Sequence, residues 1–113
     1  MNIDAAMKKI EEICLSFEGA KVKQRRHYPE FHISGKMFAA AEANKDGVNL
    51  AFALSPDTQK SLLKNKREFS KTHYVGKYGW VTWKLRRKIP WAEVKKYLKG
   101  SFELQSKSQK PQV

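Results

Sequence analysis

The sequence has little cysteine, no long apolar run and few acidic residues in its second half. Its only cysteine, Cys14, lies on the apolar side of a predicted helix, so burial is expected and a disulfide framework is excluded. No apolar stretch approaches the roughly 20 residues of a transmembrane helix. The first residues, MNIDAAMKKIEE, are charged where a signal peptide is apolar. We therefore expect a cytoplasmic protein that does not insert into membranes.

Signatures of catalysis are also missing. His27, His32 and His73 lack the spacing of metal ligands, and no GxSxG motif, P-loop or dinucleotide fingerprint occurs. The segment GKYG at 76–79 is too short for a phosphate-binding loop and no helix is predicted after it. We predict no enzyme activity, no cofactor and no catalytic metal. A small-ligand site on an open sheet face is left as an alternative.

The charge that is present is strongly positive and one-sided. The chain has a formal net charge of +12. Residues 1–55 carry eight Lys/Arg and seven Asp/Glu, whereas residues 56–113 carry fifteen and four. Such asymmetry indicates a polyanionic partner, with nucleic acid expected before an anionic membrane surface. A basic chain that merely stays soluble through repulsion is the simpler alternative.

Apolar spacing and turn residues predict the order of elements. Helical spacing from Ile3 to Phe17 predicts a first helix that Gly19 ends. Ser55-Pro56-Asp57 predicts the start of a second helix running to about Asn65. A third is predicted from Ile89-Pro90-Trp91 to Gly100, after which residues 101–104 pack back. Strands are predicted at 21–27, 30–34, 37–42, 48–54 and 80–86, with an extended or irregular segment at 68–74.

This order predicts an α+β fold. One helix is followed by three or four strands, a second helix, one or two strands and a third helix. The expected architecture is a two-layer sandwich, an antiparallel sheet with its helices on one face and the other face partly open to solvent. The length suits one domain, predicted at residues 1–104. Residues 105–113, QSKSQKPQV, have no apolar period and are predicted to be a disordered basic tail.

The strand predicted at 80–86 carries the clearest pattern in the chain. Val81, Trp83 and Leu85 alternate with polar or charged residues, so they are expected to face the core beneath the helices. Trp80, Thr82, Lys84 and Arg86 are then expected on the opposite sheet face. Arg86, Arg87 and Lys88 are expected in an exposed turn before Pro90. A solvated charged strand explains the same pattern nearly as well.

Cations supply phosphate contacts and interleaved aromatics can stack on bases. The stretch 77–88 offers this mixture, and basic residues of earlier strands and turns could extend it. The candidate nucleic-acid-binding residues are Arg25, Arg26, Lys36, Lys77, Trp80, Lys84, Arg86, Arg87 and Lys88. For Arg25, Arg26 and Lys36 a solvated edge or turn is the alternative, and for Trp80 it is the core. No base-reading helix is evident, so duplex DNA with little sequence preference is the expected partner.

Two segments resemble the MmcQ/YjbR-like family. FHISGKMFA at 31–39 is similar to the family pattern F-x-[VI]-x-G-K-[MV]-F-A, and HYVGKYGWVT at 73–82 resembles its second signature. FEGA at 17–20 is similar to the family's LPGA, with Glu18 in place of the proline. Pro90 before a helix and Ser101-Phe102 fit the family's ending. The resemblance spans roughly residues 3–104.

The resemblance implies a fold more than an activity. Members are helix-flanked antiparallel sheets that have been likened to a double-wing DNA-binding module. Relatives often have Asp-Gly where this chain has Arg86-Arg87-Lys88, so the basic turn is evidence from this sequence alone. A protein-interaction module of the same fold, including a homodimer, is the alternative function. Salt separates the two, because phosphate contacts weaken steeply with salt and apolar contacts do not.

Overall fold

The computed structural model describes residues 2–65, 68–72 and 76–107, except for the side chains of Asn65 and Lys77. Within these ranges the chain forms an antiparallel sheet of six strands and three α-helices that pack on it. The predicted α+β class is therefore confirmed. No helix in the described part of the chain is long and apolar enough to cross a bilayer.

The elements follow the predicted order, with a short 3-10 helix before the last strand. The α-helices are α1 (Ile3–Leu15), α2 (Pro56–Asn65) and α3 (Trp91–Lys107). The strands are β1 (Lys21–Gln24), β2 (Pro29–Ile33), β3 (Lys36–Asn44), β4 (Gly47–Ala53), β5 (Phe69–Lys71) and β6 (Trp80–Leu85). The spatial order β1-β2-β3-β4-β6-β5 places β1 and β5 at the edges of the sheet.

Local chemistry explains where α1 begins and which side it buries. Asn2 caps the helix, since its Oδ1 accepts a hydrogen bond from the amide of Ala5 at 3.0 Å. Ala6, Ile10 and Cys14, spaced by four residues, form its buried stripe. Burial, with a smaller contribution from Glu11, raises the pKa of the Cys14 thiol well above its usual range. Cys14 is thus buried as predicted and packs as a small apolar residue.

The alternation of β6 divides the sheet into two faces as predicted. The core side of β6 consists of Val81, Trp83 and Leu85, which are buried. They lie opposite Phe52, Leu50 and Val48 of the neighbouring strand β4. The Trp83 ring stacks on Phe69 with ring centroids 4.8 Å apart, and the Tyr97 ring of α3 lies edge-on at 5.8 Å. This aromatic cluster fixes α3 against β5 and β6, because such rings contribute contact area and preferred geometry together.

A side chain of α3 enters the ladder between β3 and β4. The pairing of β2 with β3 shifts between Phe31 and His32, and the described β3–β4 register begins at Ala39 and Phe52. One residue further along, Ser101 Oγ donates to the Phe38 carbonyl at 2.6 Å and accepts from the Ala53 amide at 2.8 Å. The hydroxyl therefore links two backbone groups where the ladder is interrupted.

These contacts overturn the predicted end of the third helix. Gly100 does not close α3, which continues to Lys107. Ser101 is fully buried and Phe102 packs edge-on against the Phe38 ring. Packing of this kind offsets the roughly 1 kcal/mol that an interior glycine costs a helix. Residues 105–107 are therefore helical, and the rest of the predicted tail, 108–113, lies outside the described residues.

The directions of the strands determine at which end of the sheet each connection lies. At the end that we call the Arg87 end lie the connections 25–28, 45–46 and 86–90. At the opposite end, the Gly35 end, lie the 34–35 hairpin and the 3-10 helix Gly76–Tyr78. Helix α3 starts near the first end and reaches the second, where Ser101 contacts Phe38 and Ala53. This division determines which predicted site residues can act together.

Candidate nucleic-acid interface

Arg86 does not behave as the exposed turn residue that the sequence predicted. Its guanidinium donates through Nη1 to the carbonyls of Leu85 and Val48, at 2.9 and 3.3 Å. Through Nη2 it donates to Asn49 Oδ1 at 3.1 Å. The side chain is half-buried and links β6 to β4. Arg86 therefore stabilises the pairing of β6 with β4. Its planar guanidinium has several N–H donors and can bond to three acceptors at once.

The next two cations are presented to solvent. Arg87 has φ 53°, in the left-handed region that is rare for residues other than glycine, asparagine and aspartate. This conformation reverses the chain directly after β6. Arg87 and Lys88 are both exposed. Two of the three residues of the predicted basic turn are thus available for contacts with a partner.

Trp80 is placed on the expected face but is only 5% exposed. Its carbonyl accepts from Gln59 Nε2 at 3.0 Å, and the neighbouring Gly79 carbonyl accepts from the Leu54 amide at 2.9 Å. Gly79 has φ 95°, and a Cβ there would collide with the carbonyl of Leu54. The strand entry is therefore packed tightly against α2 and its preceding loop. Trp80 was predicted as a stacking residue with the core as the alternative, and its burial agrees with the alternative.

Arg25 is engaged by a buried carboxylate. Its Nε lies 3.0 Å from Glu30 Oε1, which also lies 3.0 Å from His32 Nε2. Burial raises the pKa of Glu30, but hydrogen bonds and charge from His32 and Arg25 outweigh it and hold the pKa below its ordinary value. The charge of Arg25 is therefore compensated within the protein although its side chain is 45% exposed, and Arg26 beside it is also exposed.

Lys36 and Lys77 do not join the other predicted cations. Lys36 begins β3 after the 34–35 hairpin, and Lys77 belongs to the 3-10 helix, so both lie at the Gly35 end. The side chain of Lys77 is outside the described residues. Lys84 is exposed on the open sheet face. The nine predicted residues therefore do not form one patch.

The strongest basic surface that the sequence reasoning missed is on α3. Lys95, Lys96 and Lys99 lie within about 100° of one another around the helix axis and are exposed, opposite the buried Val94 and Leu98. The signal was present in the sequence, since no acidic residue occurs between Glu93 and Glu103. The helical period alone does not show which side of α3 remains exposed, so the pattern did not single out these lysines.

Helix α3 begins two residues after the basic turn ends, so the exposed cations of the turn and of the helix belong to one short stretch of chain. We call this set the basic ridge: Arg87, Lys88, Lys95, Lys96 and Lys99. From Trp91 to Lys99 the helix rises about 12 Å. Lys9 of α1 adds a further cation beside the ridge, with its Nζ 4.9 Å from the centre of the Trp91 ring. Lys9 and Arg87 also line a common cavity of about 260 Å³.

The ridge carries the kind of side chains that contact phosphate groups. Lysine and arginine side chains commonly donate hydrogen bonds to phosphate oxygens. Glu93, in the first turn of α3, is the one acidic residue between Lys88 and Lys99, and a carboxylate there is stabilised by the helix dipole. Among the described residues, no group of three or more His, Cys, Asp and Glu side chains could hold a metal ion.

Solved structures of other proteins have the same fold. A Deinococcus radiodurans protein, DR2400, with a DUF419 domain, superposes with a TM-score of 0.81 at 16% identity, covering 93% of this chain and 81% of its own. A protein from Pseudomonas syringae superposes with a TM-score of 0.62 at 22% identity, covering 91% of this chain and 94% of its own. Identities this low establish similarity of fold alone. No curated protein matches the chain.

The family comparison covers most of the ordered chain. The model of the family described as YjbR matches residues 15–104, which include every strand and most of α3. The resemblance seen in the segments at 31–39 and 73–82 is thereby confirmed. The chain belongs to the YjbR family.

Proposed function

We propose that this protein binds duplex DNA with little sequence preference through the basic ridge. The observation that carries the proposal is the exposure of five cations on one continuous turn-and-helix segment, in a chain of net charge +12. Phosphate contacts of this kind release counterions and supply most of the affinity in non-specific binding.

The dimensions of the ridge suit a nucleic-acid backbone. Its helical part spans about 12 Å, equivalent to roughly three to four base-pair steps at about 3.4 Å each. Lysines spaced by one helical turn can therefore meet successive phosphates of a strand. The buried side of α3 is occupied by the sheet, so the helix offers phosphate contacts from its outer side only.

The proposed interface differs from the one predicted from sequence. Arg87 and Lys88 remain in it. Trp80, Arg86 and Arg25 leave it, because the first is buried and the other two already have partners. Lys84 and Arg26 are exposed but lie outside the ridge, and Lys36 lies at the other end of the sheet.

The test is the salt dependence of DNA binding by the wild-type protein. Two duplexes of unrelated sequence and equal length are titrated by fluorescence anisotropy at several salt concentrations between about 50 and 200 mM. Similar affinities for both duplexes, falling steeply with salt, support the proposal. Absence of binding at the lowest salt, or binding that does not respond to salt, contradicts it.

A protein-interaction function has one structural observation in its favour. Edge strand β1 is exposed along its whole length, and Val22 on it is 42% exposed. Exposed edges accept additional strands, but Lys21 and Lys23 on the same strand oppose pairing with another copy. Sedimentation at several concentrations separates the readings. A salt-insensitive dimer would favour an interaction module, and a monomer that binds DNA would favour the ridge.

A further inference from the structure

The sheet face opposite the helices carries a trough that the DNA-binding proposal does not use. Its floor is one row of paired residues across four strands, made of Glu30, Ala40, Ala51 and Thr82. Since Ala40 and Ala51 have no atoms beyond Cβ, the middle of the row is low. The space above it has a volume of about 630 Å³. That volume falls in the range of small-ligand pockets.

The two walls of the trough differ in chemistry. Toward the Gly35 end, Met37 and Trp80 present apolar atoms. Toward the Arg87 end, the neighbouring row of the sheet presents Glu42, Asn49 and Lys84 in that order. The polar wall therefore runs from a carboxylate through an amide to an ammonium group. An occupant that complements this wall carries two opposite charges and an apolar side, and Lys71 adds a second ammonium group to the lining.

The charges on the polar wall are available to an occupant. Glu42 and Lys84 are both exposed, and neither takes part in an ion pair found among the described residues. Asn49 Oδ1 accepts from Arg86 at 3.1 Å, which fixes the orientation of the amide between them. The wall is thus held in place by a hydrogen bond from outside the trough.

The spacing of the two charges sets the length of the occupant. Glu42 and Lys84 lie on strands separated by β4 alone, so their backbones are two strand spacings apart, about 9.6 Å. Three residues of extended chain span about 10 Å. We propose that the trough binds a short zwitterionic peptide of about three residues that lies across the strands. Its ammonium group meets Glu42, its carboxylate meets Lys84, and its central side chain packs toward Met37.

Capped peptides test this geometry on the wild-type protein. Ala-Leu-Ala with free termini is titrated by calorimetry beside its N-acetylated form, its C-amidated form, the form with both caps, and free leucine. The free tripeptide should bind, each cap should weaken binding by about two- to fivefold as for an exposed ion pair, and free leucine should bind more weakly than the tripeptide. Absence of tripeptide binding, or equal affinity for the doubly capped form, overturns the proposal.

Three variants assign the contacts. Glu42→Gln should lower affinity for the free tripeptide but not for the acetylated one, and Lys84→Gln should do the same with respect to amidation. Ala51→Leu should block the trough and abolish peptide binding. Lys23→Gln, on the same face but outside the trough, is the control. Retention of full peptide affinity by Ala51→Leu would contradict the site.

The proposed peptide site does not depend on whether the protein binds DNA. Excess duplex DNA should not displace the tripeptide, because the α3 lysines of the ridge lie on the helix layer and the trough lies on the other face of the sheet. Displacement by DNA would contradict a separate peptide site. Failure of DNA binding with retained tripeptide binding would contradict only the ridge.

Discussion

The hydroxyl of Ser101 in α3 donates to the carbonyl of Phe38 in β3 over 2.6 Å. The same oxygen accepts from the Ala53 amide at 2.8 Å, so one buried hydroxyl serves two strands. A side chain of α3 thus supplies hydrogen bonds to two strand backbone groups that do not bond to each other. This explains why α3 continues through Gly100 to Lys107.

Replacing Ser101 with alanine should destabilise the fold by about 2–6 kcal/mol. The substitution leaves a buried carbonyl and a buried amide without their partner, and each such group costs about 1–3 kcal/mol. Urea unfolding followed by circular dichroism measures the change. Ser106→Ala on the same helix is the control, expected within about 0.5 kcal/mol of wild type. Equal stability of both variants would show that the two hydrogen bonds contribute nothing.

Replacing Trp83 with alanine should cost about 3–5 kcal/mol, as for other buried large aromatics. The ring is 4% exposed and packs between Phe69 and Tyr97. Chemical denaturation provides the measurement. A loss below about 1 kcal/mol would mean that the aromatic cluster does not carry the packing assigned to it.

Arg86 and Arg87 should respond oppositely to substitution by glutamine. Arg86→Gln removes charged hydrogen bonds to Val48, Leu85 and Asn49 and should cost about 1.5–3 kcal/mol. Arg87→Gln should change stability by less than about 0.5 kcal/mol, since its side chain is exposed. Comparing urea midpoints of the two variants decides the matter. Equal effects would contradict the structural role of Arg86.

Stability should fall in acid partly through Glu30. Because its folded-state pKa lies below the ordinary 4.5, its stabilising contribution is present above that value and is lost as pH falls through the folded-state pKa. Glu30→Gln should therefore flatten the decline in stability below about pH 4.5, measured by urea unfolding across the acid range. Arg25→Gln should flatten it partially. A decline as steep in Glu30→Gln as in wild type would contradict this assignment.

The fold could be predicted from sequence because most of its elements have local causes. The period-two pattern at 80–86 and the cap, proline and acid at 55–57 each agree with the structure. Gly100 misled because tertiary contacts of Ser101 and Phe102 override the local propensity for a helix end. Local pattern has no access to such long-range contacts.

The site was less predictable from sequence. Alternation along a strand assigns each residue to a face of the sheet, but it does not show how buried the side chain is or what it bonds to. Trp80 and Arg86 lie on the expected face, yet one is buried and the other is hydrogen-bonded across two strands. The ion pair between Arg25 and Glu30 forms because β1 pairs with β2, and sequence spacing does not reveal this pairing. The predicted start of α3 agrees with the structure, but local pattern does not show which of its lysines remain exposed beside the basic turn.

The most direct test compares two triple variants of equal charge. Lys95→Gln, Lys96→Gln and Lys99→Gln neutralise the helical part of the ridge, whereas Lys21→Gln, Lys23→Gln and Lys84→Gln neutralise cations of the opposite face. Affinity for one duplex is measured over a salt series for wild type and both variants. If the ridge binds DNA, the ridge variant should lose about 2.7 from the magnitude of the slope of log affinity against log salt, roughly 0.9 for each phosphate contact. The opposite-face variant should keep the wild-type slope. Equal losses in both variants, or a loss only in the opposite-face variant, would contradict binding through the ridge.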